Sequence, residues 1–149
     1  MKRFIELKNE FVIRNYNEKL WGIELTICHE EVLDFFMELQ MISFQKSDLL
    51  TLKTYHSPRS LQIQLQQAET QSQVESKAEN LKLKITERDM GVIYSFLLLY
   101  YRDAVAPVDH IDIELSDEND PEKEVYLIIK AEDFSEPISE KEARRILDM

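Results

Sequence analysis

The sequence predicts an α+β fold: a mostly antiparallel sheet of about six to seven strands, two main helices and a short C-terminal helix. Two observations carry that expectation. Apolar and polar residues alternate with a period of two at 21–27, 50–55, 61–66 and 81–85, the mark of strands buried on one face. The period lengthens to that of a helix in only two long segments, 30–44 and 89–103.

Taken in order, residues 4–16 are rich in Phe, Ile, Val and Tyr and read as extended, and Asn15, Tyr16, Asn17 and Glu18 supply a turn. Trp21, Ile23, Leu25 and Ile27 then alternate with Gly22, Glu24 and Thr26, which completes an opening hairpin. In 30–44, Val32, Phe35, Phe36, Leu39 and Ile42 share one helical face, and Glu30 and Glu31 lie where the helix dipole favours negative charge. Residues 50–55 and 61–66 form a second hairpin around Pro58. Residues 67–80 hold one substantial apolar side chain, Val74, and read as a polar, mobile connection open to proteolysis.

Leu81, Leu83 and Ile85 open the second part of the chain, with Thr86 and Asp89 spaced to cap the helix at 89–103. That helix is apolar on nearly every side and reads as central. Strands follow at about 109–115 and 124–131, joined by an acidic loop at 116–123. Ser139 and Glu142 form a capping box for a last helix, in which Ile138, Ala143, Ile146 and Leu147 offer an apolar face for docking. Residues 19–67 and 81–131 share an order of elements, which suggests two β-α-β-β halves on topology alone. The competing reading is one meander without internal symmetry.

A length of 149 residues fits a single domain spanning 1–149. The net charge of −11 is unevenly spread: residues 109–149 hold fourteen acids against five bases, leaving 1–108 close to neutral. Such a field attracts cationic partners and repels phosphate backbones, so a nucleic-acid binder is not expected. The longest apolar run, 92–101, is half the length of a bilayer span of about 20 residues, and no membrane is expected either. The first eight residues meet Glu6 too early for a signal peptide, and the single Cys28 allows no internal disulfide, so the expected address is the cytoplasm.

No residue set predicts catalysis, a cofactor or a metal. Cys28 beside His29 at a helix start suggests an activated thiol, but neighbours on an extended chain point to opposite sides, and a buried structural cysteine is the plainer reading. His110, Asp112 and Glu114 share one face of a strand; alternate positions lie about 7 Å apart, too wide for one ion without help from His29 or His56. The 117–122 loop departs from a calcium loop at Pro121 and Glu122, with Ile128 at its twelfth position. Two glycines in the chain exclude the glycine-rich phosphate cradles. Among Tyr94, Tyr100 and Tyr101, the adjacent pair cannot both face the core, which leaves one for a rim.

The expectation for function is therefore a non-catalytic module whose acidic C-terminal surface, with Asp112, Glu114, Asp117, Glu118, Asp120 and Glu122, engages a basic protein. In size and charge alone, with no motif behind it, the chain is similar to small acidic inhibitors such as the immunity proteins of basic toxin nucleases. The competing reading gives the charge to solubility. The alternative function is a small-molecule binding protein or enzyme with a pocket between sheet and central helix, lined by His110, Asp112, His56 and Arg59. A homodimer through a sheet edge at 1–16 or 124–131 is the third option.

Overall fold

The computed structural model describes residues 2–44, 49–54, 59–66, 71–77, 80–106, 108–133 and 140–148. The first half of the chain runs β1 (Lys2–Leu7), β2 (Val12–Asn15), β3 (Leu20–Ile27), α1 (His29–Phe44), β4 (Leu49–Thr54) and β5 (Ser60–Gln66). The second runs β6 (Ser72–Lys77), β7 (Asn80–Thr86), α2 (Glu87–Asp103), β8 (His110–Asp117), β9 (Glu124–Ala131) and α3 (Glu140–Leu147). All nine strands form one sheet in the order β1-β4-β5-β7-β6-β8-β9-β3-β2.

The expected sheet was too small and too uniform. The described strands number nine, and parallel and antiparallel neighbours alternate across the sheet, four pairs of each. The antiparallel pairs are the hairpins β2–β3, β4–β5, β6–β7 and β8–β9. Three parallel pairs arise where separate hairpins dock side by side, and the fourth where the single strand β1 docks on β4. Each half is thus hairpin, helix, hairpin, and the first carries the single strand β1 before its hairpin. The last strand of each pairs in parallel with the second strand of the other's first hairpin, β5 with β7 and β9 with β3. Leu61 pairs Leu81 as Val125 pairs Trp21.

Two segments account for the miscount. Residues 72–77 are β6, an interior strand between β7 and β8, rather than a mobile connection. Its inner face carries Ser72 and Val74, both fully buried. Ser72 is accommodated by hydrogen bonds: it receives the Thr86 N–H at 2.9 Å and donates to the Asp89 carboxylate. Satisfied polar burial of this kind leaves no apolar signal in sequence. The segment 4–16 is also two strands. After β1 the strand is interrupted at 8–11, so that β1 pairs in parallel with β4 while β2 alone completes the hairpin with β3.

The two edge strands, β1 and β2, are therefore consecutive in sequence and only four residues apart. The sheet must curl until its edges approach, and Leu7 and Phe11, at the two ends of the link, are buried in the core. Helices α1 and α2 lie antiparallel on the inner side. Phe36 of α1 meets Tyr94 of α2 edge-on with centroids 5.3 Å apart, and His29 stacks on Tyr101. Helix α1 covers β1, β4 and β5, while α2 covers β5, β7 and β8. The inner residues of β3 and β9, all buried, pack within the curl itself.

The N-cap expected at Thr86 is present, its hydroxyl accepting the Asp89 N–H at 3.2 Å. Helix α2 ends on Ala104, whose φ of 62° and ψ of −18° lie in the left-handed region. Alanine is strained there and glycine is not, so Ala104→Gly is expected to raise stability by up to about 1 kcal/mol, read as a higher urea midpoint with unchanged slope. The docking expected of α3 is not made by Ile146 and Leu147, which are 54% and 82% exposed. Ser139 and the turn at Pro58 lie outside the described residues.

Candidate protein-interaction face

Alternation along each strand gives the curled sheet an apolar inner side and an outer side turned to solvent. On β8 the inner residues are Ile113, Leu115 and Asp117, and the outer ones are His110, Asp112, Glu114 and Ser116. On β9, Val125, Leu127, Ile129 and Ala131 face inward. The antiparallel register places Asp112 opposite Ile128 and Glu114 opposite Tyr126, all on the outer side. Residues opposed in this way have Cβ atoms about 4.5–5.5 Å apart. The parallel register with β3 then sets Gly22 beside Tyr126 and Glu24 beside Ile128.

Gly22 permits a close approach there and has no special backbone angle. A Cβ at this position would stand 3.3 Å from Cε2 of Tyr16 and 3.6 Å from Cδ1 of Ile128. Tyr16, from the turn after β2, thus folds back over the glycine. It joins Ile128 and the neighbouring Tyr126 in an aromatic and aliphatic patch, with Tyr16 51% exposed and Val12 on the adjacent strand 41% exposed. Asp112 and Glu114 flank the patch on one side. Glu24, tied to Arg14 at 2.9 Å, flanks it on the other.

Sequence reasoning named the acids and missed the anchors. Their signal was legible: Tyr126 and Ile128 occupy outward positions where a solvated strand would carry polar groups. The six acids expected to act together are dispersed. Asp112 and Glu114 are exposed on the outer side. Asp117 points inward and is 7% exposed, with Oδ1 accepting the Asn119 N–H at 2.9 Å. Glu118 is paired with Lys84 at 2.8 Å. Asp120 accepts the Glu122 N–H in the β8–β9 turn, and Glu122 is exposed at its tip. Part of the apparent asymmetry is lost in space, because Lys84 of β7 meets Glu118 and Lys8 lies 3.7 Å from Glu132.

The residues considered for chemistry are separated or occupied. His110 stands 3.1 Å from Asp109 and 3.5 Å from Asp112 on the outer side, away from the helices, so neither His110 nor Asp112 can line a pocket against α2. Arg59 is exposed and His56 lies outside the described residues. Among the described residues, no three His, Cys, Asp or Glu groups are placed to hold a metal ion. None of the helices formed by described residues is long and apolar enough to cross a membrane. Of the two edges expected to pair between copies, 124–131 is not one: β9 is flanked by β8 and β3.

Cys28 is buried and donates to Glu31 Oε1 at 3.1 Å. Burial first, and the Glu31 carboxylate second, push its pKa up to about 11, opposite to an activated thiol. Alkylation by iodoacetamide in the folded protein is therefore expected to be slow at pH 8 and to speed up only on unfolding. Rapid modification of the native chain at pH 8 would contradict this placement.

Tyr100, the inward member of its pair, ties four elements together where β3 and β9 end. Its hydroxyl has two acceptors in reach, Asp133 Oδ2 at 2.7 Å and Ile27 O at 3.0 Å, and receives the Asp133 N–H at 3.1 Å. Asp133 in turn accepts the His29 N–H at 2.8 Å, capping α1. Tyr101, the outward member, is 48% exposed. No known family model and no curated protein matches the chain.

Proposed function

We propose that this protein is a non-catalytic binding module that engages a basic partner through the outer face of β8, β9 and β3. The observation that supports this most is the register that sets Asp112 and Glu114 directly beside Ile128 and Tyr126 on the solvent side. Acids at the margin of such a patch speed encounter with a cationic surface, and part-buried aromatic anchors slow departure. Among the described residues Glu114 makes no ion pair and Asp112 meets only His110, so both carboxylates are available to a partner. A basic enzyme blocked at its cationic substrate groove is a partner class that such a face fits. The lone cysteine, without a disulfide partner, suits a reducing compartment such as the cytoplasm.

The experiment is affinity capture from native lysate at low and at moderate salt, run in parallel with a variant carrying Asp112→Asn, Glu114→Gln and Tyr126→Ala. One basic protein retained by the native chain and lost from the variant column supports the proposal. Equal retention on both columns sinks it.

A second reading rests on the helix layer. Leu33, Met37 and Phe44 of α1 and Leu98 and Leu99 of α2 are exposed by 39% to 79%, more apolar surface than a solvated helix pair needs. Self-association through that layer would appear as a concentration-dependent dimer in sedimentation, and a monomer at high concentration would remove it.

A further inference from the structure

We propose that the end of the curled sheet remote from the helix N-termini is a binding site for a small organic monocation with an apolar or aromatic body. Helices α1 and α2 begin where β3 and β7 end. At the opposite end, where β3 and β7 start, a cavity of about 450 Å³ opens, within the range of about 300–1,000 Å³ typical of small-molecule sites. Its apolar walls among the described residues are Trp21, Ile13 and Leu81. Trp21 and Leu81 hold equivalent places in the two halves, each the second residue of the strand that leads into a helix. The cavity therefore sits where the two first hairpins, β2–β3 and β6–β7, face one another.

Its polar groups have one dominant sign. Asp117 ends β8 facing inward and is more than nine-tenths buried. Oδ1 holds the Asn119 N–H, while Oδ2 takes no donor among the described residues. That second oxygen is not sealed in the core but reaches the open volume, where it can take a donor from a ligand. Asp120 and Lys123 stand at the rim, so the three ionised groups leave one net negative charge. That balance suits a single ammonium or guanidinium group. The indole of Trp21 offers a flat π surface for the cation or its aromatic body, and Asn15 and Asn119 add amide groups able to donate or accept. This site lies on the inner side of the sheet and shares no residue with the outer face of Asp112, Glu114 and Tyr126.

Trp21 is the only tryptophan in the chain, so its fluorescence reports the cavity wall alone. The test is titration of the full chain with phenethylammonium and with its neutral counterpart, 2-phenylethanol. The expected result is a saturable change with the cation and binding of the neutral probe weaker by about tenfold or more, the ratio of one charge-assisted contact. Asp117→Asn keeps an oxygen for the Asn119 N–H and removes only the charge; it is expected to bring the cation down to the affinity of the neutral probe. Asp112→Asn is expected to leave the titration unchanged. A linear, unsaturable quench, equal affinity for the two probes, or full cation affinity in Asp117→Asn would each overturn the proposal. Should Asp117→Asn fail to fold, the two probes on the unaltered chain decide the matter.

Discussion

Replacing Tyr126 by alanine is expected to weaken binding of the basic partner by about thirtyfold or more, some 2 kcal/mol, mostly through faster dissociation. Tyr126 sits centrally between Glu114 on β8 and Gly22 on β3, so its truncation removes the widest part of the patch without touching the inner core. The acids behave differently. Asp112→Asn with Glu114→Gln is expected to slow association and flatten its salt dependence while dissociation changes little, because exposed charges steer more than they hold. Gly22→Val supplies a third arm, since its side chain displaces Tyr16 and alters no charge. Association and dissociation rates measured at two salt concentrations separate these effects. If Tyr126→Ala binds as the native chain does, the anchor is assigned to the wrong face.

The second large effect concerns stability. Tyr100→Phe is expected to cost about 1–3 kcal/mol at neutral pH, because it deprives the Asp133 carboxylate and N–H of a buried partner, while Ile27 O keeps the Glu132 N–H. The cost falls with pH in a defined direction. The His29 N–H first, and the Tyr100 hydroxyl second, hold the Asp133 carboxyl below its ordinary value of 3.8. A carboxyl depressed in the folded state stabilises the protein above its unfolded pKa, and that contribution is lost as pH falls through the folded value. Native and Tyr100→Phe proteins should therefore differ most in urea midpoint at pH 7, and the gap should narrow as pH falls below 3.8 through the lower folded value. A difference that widens in acid would contradict the arrangement.

What the sequence disclosed follows from where each signal resides. Strand alternation is a local property, and 21–27, 61–66 and 81–85 are strands within a residue or two of expectation because each buries one face. Helices α1 and α2 were legible for the same reason: their inward residues recur at helical spacing. Strand partners are not local. Nothing in 61–66 or 124–131 distinguishes a parallel neighbour from an antiparallel one, so four parallel pairs were unforeseen. Strand β6 was invisible because Ser72 is buried through hydrogen bonds rather than through apolar surface. Charge misled in a related way. Summed along the chain, residues 109–149 look uniformly acidic, yet folding turns Asp117 inward, pairs Glu118 with Lys84 and leaves Asp112 and Glu114 beside an aromatic patch.

The measurement closest to the central proposal is amide hydrogen exchange of the chain alone and in complex with the captured basic partner. Binding through the outer face predicts added protection in β8, β9 and β3, centred on 112–114 and 124–128 and extending to the turn at Tyr16. Protection confined to α1 and α2, around Leu33, Met37 and Leu98, would contradict it and assign recognition to the helix layer instead.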